Sequence, residues 1–179
     1  MLRTFVLALT VLTGGTLQQP ARQPDVIFVP STDAVVDAML KIAKVTRTDL
    51  VYDLGCGDGK IVIAAAKQYG ARGVGIDIDP QRIKEANDKA KAAGVTDKVR
   101  FVLGDIFSDD VTFNDATVVT LYLLPSLNER LRPRLWRDLK PGTRVVSNSF
   151  SMSEKWPPEK TQQVGDRWIY FWTIPQGAR

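Results

Sequence analysis

The 179-residue chain contains no histidine and a single cysteine, Cys56. The first absence removes Ser-His-Asp and Cys-His nucleophilic centres, imidazole general bases and every zinc site that uses imidazole. The second removes thiolate zinc clusters and internal disulfides, so no metal is expected. Long apolar runs are absent too: the N-terminal FVLALTVL, Phe5 to Leu12, is far shorter than the ~20 residues a membrane-spanning helix needs. There is no internal repeat and no low-complexity tract. Nor is there a strong charge of one sign. The 24 basic and 20 acidic residues leave +4, a slight bias toward anionic partners and far below what proteins that neutralise many phosphates carry, so nucleic acid is not an expected partner. What survives is chemistry by carboxylates, hydroxyls, backbone dipoles, a lysine, or a cofactor that brings its own reactive group.

With 44% hydrophobic and 25% charged residues, the composition is that of one folded domain. Arg3, the apolar run and the small-residue stretch TGGT have the layout of a secretory signal peptide, and QQPARQPD (18 to 25) reads as a proline-punctuated linker. Residues 1–25 are therefore expected to be a leader and linker, and residues 26–179 the domain. Export or membrane tethering is the expected location, with the cytoplasm as the alternative.

From Val26 onward strand and helix signals alternate. Ser31 or Thr32 can cap a helix carrying Val35, Val36, Met39, Leu40 and Ala43 on one face. LVYDL (50 to 54), RGVGI (72 to 76), KVRFVL (98 to 103), ATVVTLYL (116 to 123) and TRVVSNS (143 to 149) read as strands. Between them, helices are predicted over Lys60–Tyr69, Gln81–Ala93 and Ser126–Leu139, the last interrupted by Pro133. TQQV, the Gly165-Asp166 turn and RWIYFWTI form a hairpin signal, its second strand apolar enough for burial on both faces. The pattern predicts an α/β fold: a mainly parallel sheet with helices on both faces and a closing antiparallel hairpin.

In such a sheet the ligand site lies at the carboxyl ends of the strands, where strand order reverses. Three strand ends carry suitable residues. Asp53-Leu-Gly55-Cys-Gly57-Asp-Gly59 follows the first strand and precedes a helix, so its glycines let a ligand approach and the helix N-terminus offers N–H groups. Asp77 closes the second strand, 18 residues after Gly59, at the spacing of an acid that binds ribose hydroxyls. Asp105, just past the third strand and followed by Ile106-Phe107, can receive an exocyclic amine beside an apolar pair, or serve as a turn residue.

The glycine spacing disfavours the common nucleotides. Lys60 stands where a dinucleotide fingerprint needs glycine; Leu54 and Ile61 stand where a P-loop needs glycine and Ser or Thr. D-x-G-x-G-x-G, a second-strand acid and a third-strand Gly-Asp together resemble the class I S-adenosylmethionine-dependent methyltransferases, over residues 50 to about 150. A narrower resemblance exists. PDVIFVPSTDAVVDAMLKIAK, VYDLGCGDGKIVIAAAK, ATVVTLYLLPSLN and LKPGTRVVS are similar to the small archaeal and mitochondrial protein-lysine methyltransferases, from about Asp25 to the C-terminus.

The resemblance implies a Rossmann-like seven-stranded sheet, S-adenosyl-L-methionine as cofactor and a protein substrate with an accessible lysine. It implies that Asp53, Gly55, Gly57 and Gly59 form the methionine-side loop, that Asp77 holds the ribose, and that Asp105 with Ile106 holds the adenine. Phe28, Val29, Pro30 and Ser31 match the stretch that folds over the cofactor. Leu121 to Pro125 would border the methyl-transfer opening, with Tyr122 as a wall or hydrogen-bonding group of catalysis. One departure is visible. Where the family commonly has histidine and an acid after VVS, this chain has Asn148 and Ser149, with Ser151 where another acid is common. Methylation of a small molecule and non-catalytic binding of the cofactor are the alternatives. The basic residues Arg130, Arg132, Arg134, Arg137 and Lys140 after LYLLP read as a solvated helix face.

Overall fold

The computed structural model describes residues 23–177, so nearly all of the expected leader lies outside the described residues. Thr32, not Ser31, caps α1 (Asp33–Ile42), its hydroxyl accepting from Val35 N at 3.4 Å. Val35, Val36, Met39 and Leu40 of that helix are buried, as their spacing predicts. The alternating units follow in order: β1 (Leu50–Leu54), α2 (Lys60–Tyr69), β2 (Arg72–Asp77), α3 (Pro80–Ala93) and β3 (Val99–Leu103). Gly70 and Gly94 end the two helices in the left-handed conformation. Asp79 caps α3 by accepting from Gln81 N at 2.8 Å, and Pro80 opens its first turn.

No helix links β3 to the next strand. Residues 104–117 form a loop instead, followed by β4 (Val118–Leu121) and α4 (Pro125–Asp138). The loop is held by Arg134 of α4, which donates to the carbonyls of Ile106 at 2.7 Å, of Ser108 at 2.6 Å and of Val111. β4 is shorter than its apolar run because Pro125, fixed in φ, starts the helix at once. Pro133, expected to interrupt α4, does not. It lies on the exposed side of a continuous helix, as does Glu129 four residues earlier, so the carbonyl left without a partner faces water.

β5 (Arg144–Asn148) and the hairpin of β6 (Lys160–Val164) and β7 (Arg167–Thr173) complete a seven-stranded sheet of order β3-β2-β1-β4-β5-β7-β6. The five strands β1 to β5 are parallel; β7 runs antiparallel between β5 and β6. The sheet is Rossmann-like, with one apolar layer against α1, α2 and α3. The other layer, against α4 and the loops before β4 and after β5, includes Phe113, Leu131, Leu135, Met152 and Trp172. Ile169, Phe171 and Trp172 are buried as the apolar run of β7 predicts, but Trp168, beside Gln163 of the edge strand β6, is 44% exposed. Among the described residues no helix is long and apolar enough to cross a membrane.

Candidate active site

Strand order reverses between β1 and β4, so the loops leaving them diverge and open a crevice at their carboxyl ends. The segment before α1 folds across it. The resulting cleft holds about 990 Å³ of empty space, its open mouth included, and is lined from five directions: the 24–31 segment, the ends of β1, β2 and β3, and the turn after β4.

Asp53 forms its floor. Parallel pairing of β1 with β4 sets it opposite Thr120, whose hydroxyl donates to Asp53 Oδ1 at 2.8 Å. Burial pushes this carboxyl up to about 7, helped by the charges of Asp77 and Asp58 and opposed by the Thr120 bond. Beyond it the glycine loop wraps onto β2, since Gly55 N and Cys56 N both donate to Ile76 O, at 2.8 and 2.9 Å. Asp77 holds the loop from the other side. Its Oδ2 accepts from Gly57 N at 2.7 Å and its Oδ1 from Asp79 N at 3.0 Å. Burial raises the Asp77 carboxyl as well, against these two N–H bonds. Asp105 Oδ1 accepts from Phe107 N at 2.9 Å, so the carboxylate shapes the turn and also faces the cleft.

Asp53, Gly55, Asp77, Asp105, Ile106, Tyr122, Pro30 and Ser31 all line the cleft. Gly57, Gly59 and Leu121 do not. Gly57, at φ +52°, lies under the Phe28 ring, which a Cβ there would strike at 2.2 Å. Gly59, at φ +77°, faces Phe101 and Ala86 at 2.5 and 2.9 Å, so its lack of a side chain serves the packing of helices on the sheet. Leu121 is fully buried in the layer beneath α4. The N-terminus of α2 is also less open than the motif suggests: Asp58 Oδ1 accepts from Lys60 N at 3.3 Å while its other oxygen pairs with Lys89. Cys56, buried against Gly75, has its thiol pushed well up by desolvation, as suits a small packing residue.

At the mouth, Tyr122 is half-buried and stacked on Phe150, with ring centroids 6.2 Å apart. Arg167 Nη1 donates to the Tyr122 hydroxyl at 2.9 Å and to Ser149 Oγ at 3.4 Å. Ser149 Oγ donates to Asn148 Oδ1 at 2.8 Å, and Asn148 Nδ2 to Ser31 Oγ at 3.1 Å, so the network ties β7, β4 and β5 to the segment before α1. Lys60 anchors that segment from below, its Nζ 2.8 Å from Ser31 O and 2.7 Å from Asp33 Oδ1.

Sequence reasoning missed Arg167, Arg82 and Asp58. Arg82 lies over the Phe28 ring at 4.8 Å and lines the cleft. Only Asp58 carried a signal, its place inside the glycine motif. The basic run in α4 is engaged within the molecule: besides Arg134, Arg130 covers Phe107 at 3.9 Å, Arg132 lies over Trp136 at 5.4 Å, and Arg137 pairs with Asp138 and Asp109. Among the described residues no three carboxylates or thiols are placed to hold a metal ion.

Residues 53–160 match the family described as the ANTKMT methyltransferase domain. A protein-lysine N-methyltransferase from Saccharolobus islandicus is 46% identical over 144 residues, 80% of this chain and 88% of that protein. A lysine N-methyltransferase of Mus musculus, named for a component of ATP synthase, is 32% identical over 152 residues, 84% of this chain but 60% of its own length. The crystal structure of an RNA methyltransferase from Salinibacter ruber in complex with S-adenosyl-L-homocysteine is 54% identical, with a TM-score of 0.79, over 83% of this chain and 95% of that one.

Proposed function

Since the chain belongs to the ANTKMT methyltransferase family and is a class I S-adenosylmethionine-dependent methyltransferase, we propose that it methylates the ε-amine of a lysine on a protein substrate. The likeness to the Saccharolobus enzyme over most of both chains carries this reading.

The donor set fits the cofactor. Burial chiefly, and to a lesser degree the charges of Asp77 and Asp58, raise Asp53, and a cationic group placed against it favours its ionised form. S-adenosylmethionine, bearing an ammonium and a sulfonium, supplies a methyl that is already activated. In this reading Asp53 receives the ammonium, the Gly55 turn gives close backbone approach, Asp77 accepts from the ribose hydroxyls, and Asp105 with Ile106 receives the adenine. Pro30 and Ser31 close the cleft from above.

With the electrophile supplied, the protein has to align an amine with the methyl and exclude water. The amine must also lose its proton. The cleft lining includes Phe107, Leu123 and Leu127, and Phe150 stacks on Tyr122; these apolar groups favour the neutral amine by desolvation while the proton passes to solvent. No histidine is required.

The name of the Salinibacter neighbour favours a second reading, RNA methylation. Helix α4 gives that reading little support, because its most firmly held cation, Arg134, is engaged by three loop carbonyls and Asp138 of the chain itself. Incubation with isotopically labelled cofactor and separate pools of protein, RNA and metabolites tests both. The lysine reading expects label on lysine ε-nitrogens by mass spectrometry; label confined to RNA or to a metabolite overturns it.

A further inference from the structure

The acceptor side of the cleft carries a fixed positive charge. β5 ends in the uncharged pair Asn148 and Ser149, and the cation that faces them arrives from β7, as Arg167. Its guanidinium has only donors, so in the 2.9 Å bond to Tyr122 the phenol oxygen must accept. That bond, the one to Ser149 Oγ and the placement of Cζ 6.0 Å from the Tyr122 ring centre hold the charge beside a residue of the cleft wall.

Little nearby neutralises it. Asp166, in the hairpin turn, approaches Arg167 Nε at 3.6 Å, but with Asp166 88% and Arg167 40% exposed solvent screens the pair, and the Arg167 charge acts chiefly through the side held by Tyr122 and Ser149. On the β5 side, Asn148 and Ser149 contribute no charge. On the side of the 24–31 segment, Lys60 is paired with Asp33. Six carboxylates line the cleft, Asp25, Asp53, Asp58, Asp77, Asp79 and Asp105: Asp53 is engaged by Thr120, Asp77, Asp79 and Asp105 by backbone N–H groups, and Asp58 by Lys89. An ammonium that reaches Tyr122 therefore meets a like charge; a neutral amine does not.

We propose that Arg167 is a specificity-determining and positioning residue of the acceptor site: held by Tyr122 and Ser149, its guanidinium repels charged acceptors and admits the neutral amine, while fixing the Tyr122 oxygen in place. The inference rests on the lysine reading above and adds to it the means by which the uncharged acceptor is selected. The acceptor gives its proton to water on entry, and no group of the protein needs to keep it.

The test uses full-length protein loaded with S-adenosylmethionine, and Nα-acetyl-lysine methylamide as probe. Single-turnover methylation is followed by mass spectrometry from about pH 6.5 to about pH 10, the range that spans the rise of neutral lysine. Arg167→Gln removes the charge and keeps a donor toward Tyr122; Arg167→Lys keeps the charge. The rising limb of the Arg167→Gln profile is expected about one pH unit above that of the wild type, with a roughly tenfold deficit near pH 7.5 that closes toward pH 10. The limb for Arg167→Lys should stay with the wild type, and all three proteins should bind S-adenosylhomocysteine equally. An unchanged Arg167→Gln profile, or a deficit equal at every pH, overturns the inference while leaving lysine methylation intact. Absence of product with every protein, on this probe and on the protein pool alike and with S-adenosylhomocysteine still bound, overturns the lysine reading itself.

Discussion

Replacing Asp53 with asparagine should strengthen the fold and weaken the site. The folded carboxyl titrates near 7 against an ordinary 3.8, mainly because burial penalises its charged form. Between those two values the folded chain holds a proton that the unfolded chain has lost. Stability of the unliganded protein therefore falls as pH rises through this window, by up to about 4 kcal/mol when the full shift is expressed. Asparagine keeps an oxygen to accept from Thr120 and never ionises. Asp53→Asn should accordingly raise the unfolding free energy at pH 8 by as much as ~4 kcal/mol and have little effect at pH 4, measured by urea titration at each pH.

Cofactor binding should respond in the opposite sense. If an ammonium pairs with Asp53, the complex contains the ionised carboxylate, and below pH 7 binding must expel a proton. S-adenosylhomocysteine affinity should fall as pH drops below about 7, approaching tenfold per unit, and calorimetry near pH 6 in two buffers of different ionisation enthalpy should find nearly one proton released. The variant should bind about 1.5–3 kcal/mol more weakly at pH 8, the scale for a lost charged hydrogen-bond partner, and should lose the proton release that Asp53 contributes near pH 6. Wild-type affinity that is flat between pH 5.5 and 7.5, or a variant that binds as tightly as wild type, would refute the reasoning.

Four further outcomes are expected. Gly57→Ala should lower stability by roughly 1–2 kcal/mol, the cost of a side chain in the left-handed backbone, and weaken S-adenosylhomocysteine binding, read by calorimetry, because the new Cβ must displace Phe28 from its place in the cleft wall; Gly57→Arg should abolish the heat of binding. Asp77→Ala should cost about 1–3 kcal/mol of affinity, since it removes the proposed ribose acceptor and releases Gly57 N and Asp79 N, while the thermal midpoint shifts little. Arg134→Ala should lower the urea midpoint by the equivalent of about 3 kcal/mol or more and loosen cofactor binding through Asp105 and Ile106, because three loop carbonyls and Asp138 lose a nearly buried partner. Deleting residues 1–22 should leave S-adenosylhomocysteine affinity unchanged and alter only the compartment found by fractionation of tagged protein, as expected of a leader.

The layering of the fold was legible because each strand is a short apolar run bounded by residues with a fixed conformational meaning. Gly55 and Gly70 close β1 and α2, Asp79 and Pro80 open α3, and Gly94 ends it. Errors arise where sequence names a residue's preference but not its surroundings. Pro133 suggests a break because it removes an N–H and crowds the carbonyl four residues earlier; on the wet side of α4 that carbonyl faces water, and the helix runs on. The glycine motif was legible as a site, yet its three glycines serve different ends. Gly55 opens onto the cleft, Gly57 lies beneath Phe28, and Gly59 lets the elements around it pack, a division that depends on Phe28 and Phe101, which are distant in the chain.

The rim was hidden for a topological reason. Arg167 and Tyr122 are 45 positions apart and meet only because β7 inserts between β5 and β6, a strand order that no local pattern encodes. Their meeting also depends on register. β7 pairs Ile169 with Asn148 and Tyr170 with Ser147, and Ser149 N donates to Trp168 O at 2.7 Å, which leaves Arg167 just past the end of β5, level with the mouth. A slip of one residue would bring Asp166 or Trp168 to that place and turn the neighbouring side chains to the opposite face. The two-residue turn at Gly165-Asp166 fixes the pairing of β6 with β7, and burial of Ile169, Phe171 and Trp172 fixes that of β7 with β5. The charge at the proposed acceptor opening is thus set by how the hairpin is packed, at a distance in the chain from the motifs proposed to bind the cofactor. Substitutions in the turn or in the apolar face of β7 should therefore alter acceptor selection while S-adenosylhomocysteine affinity stays constant.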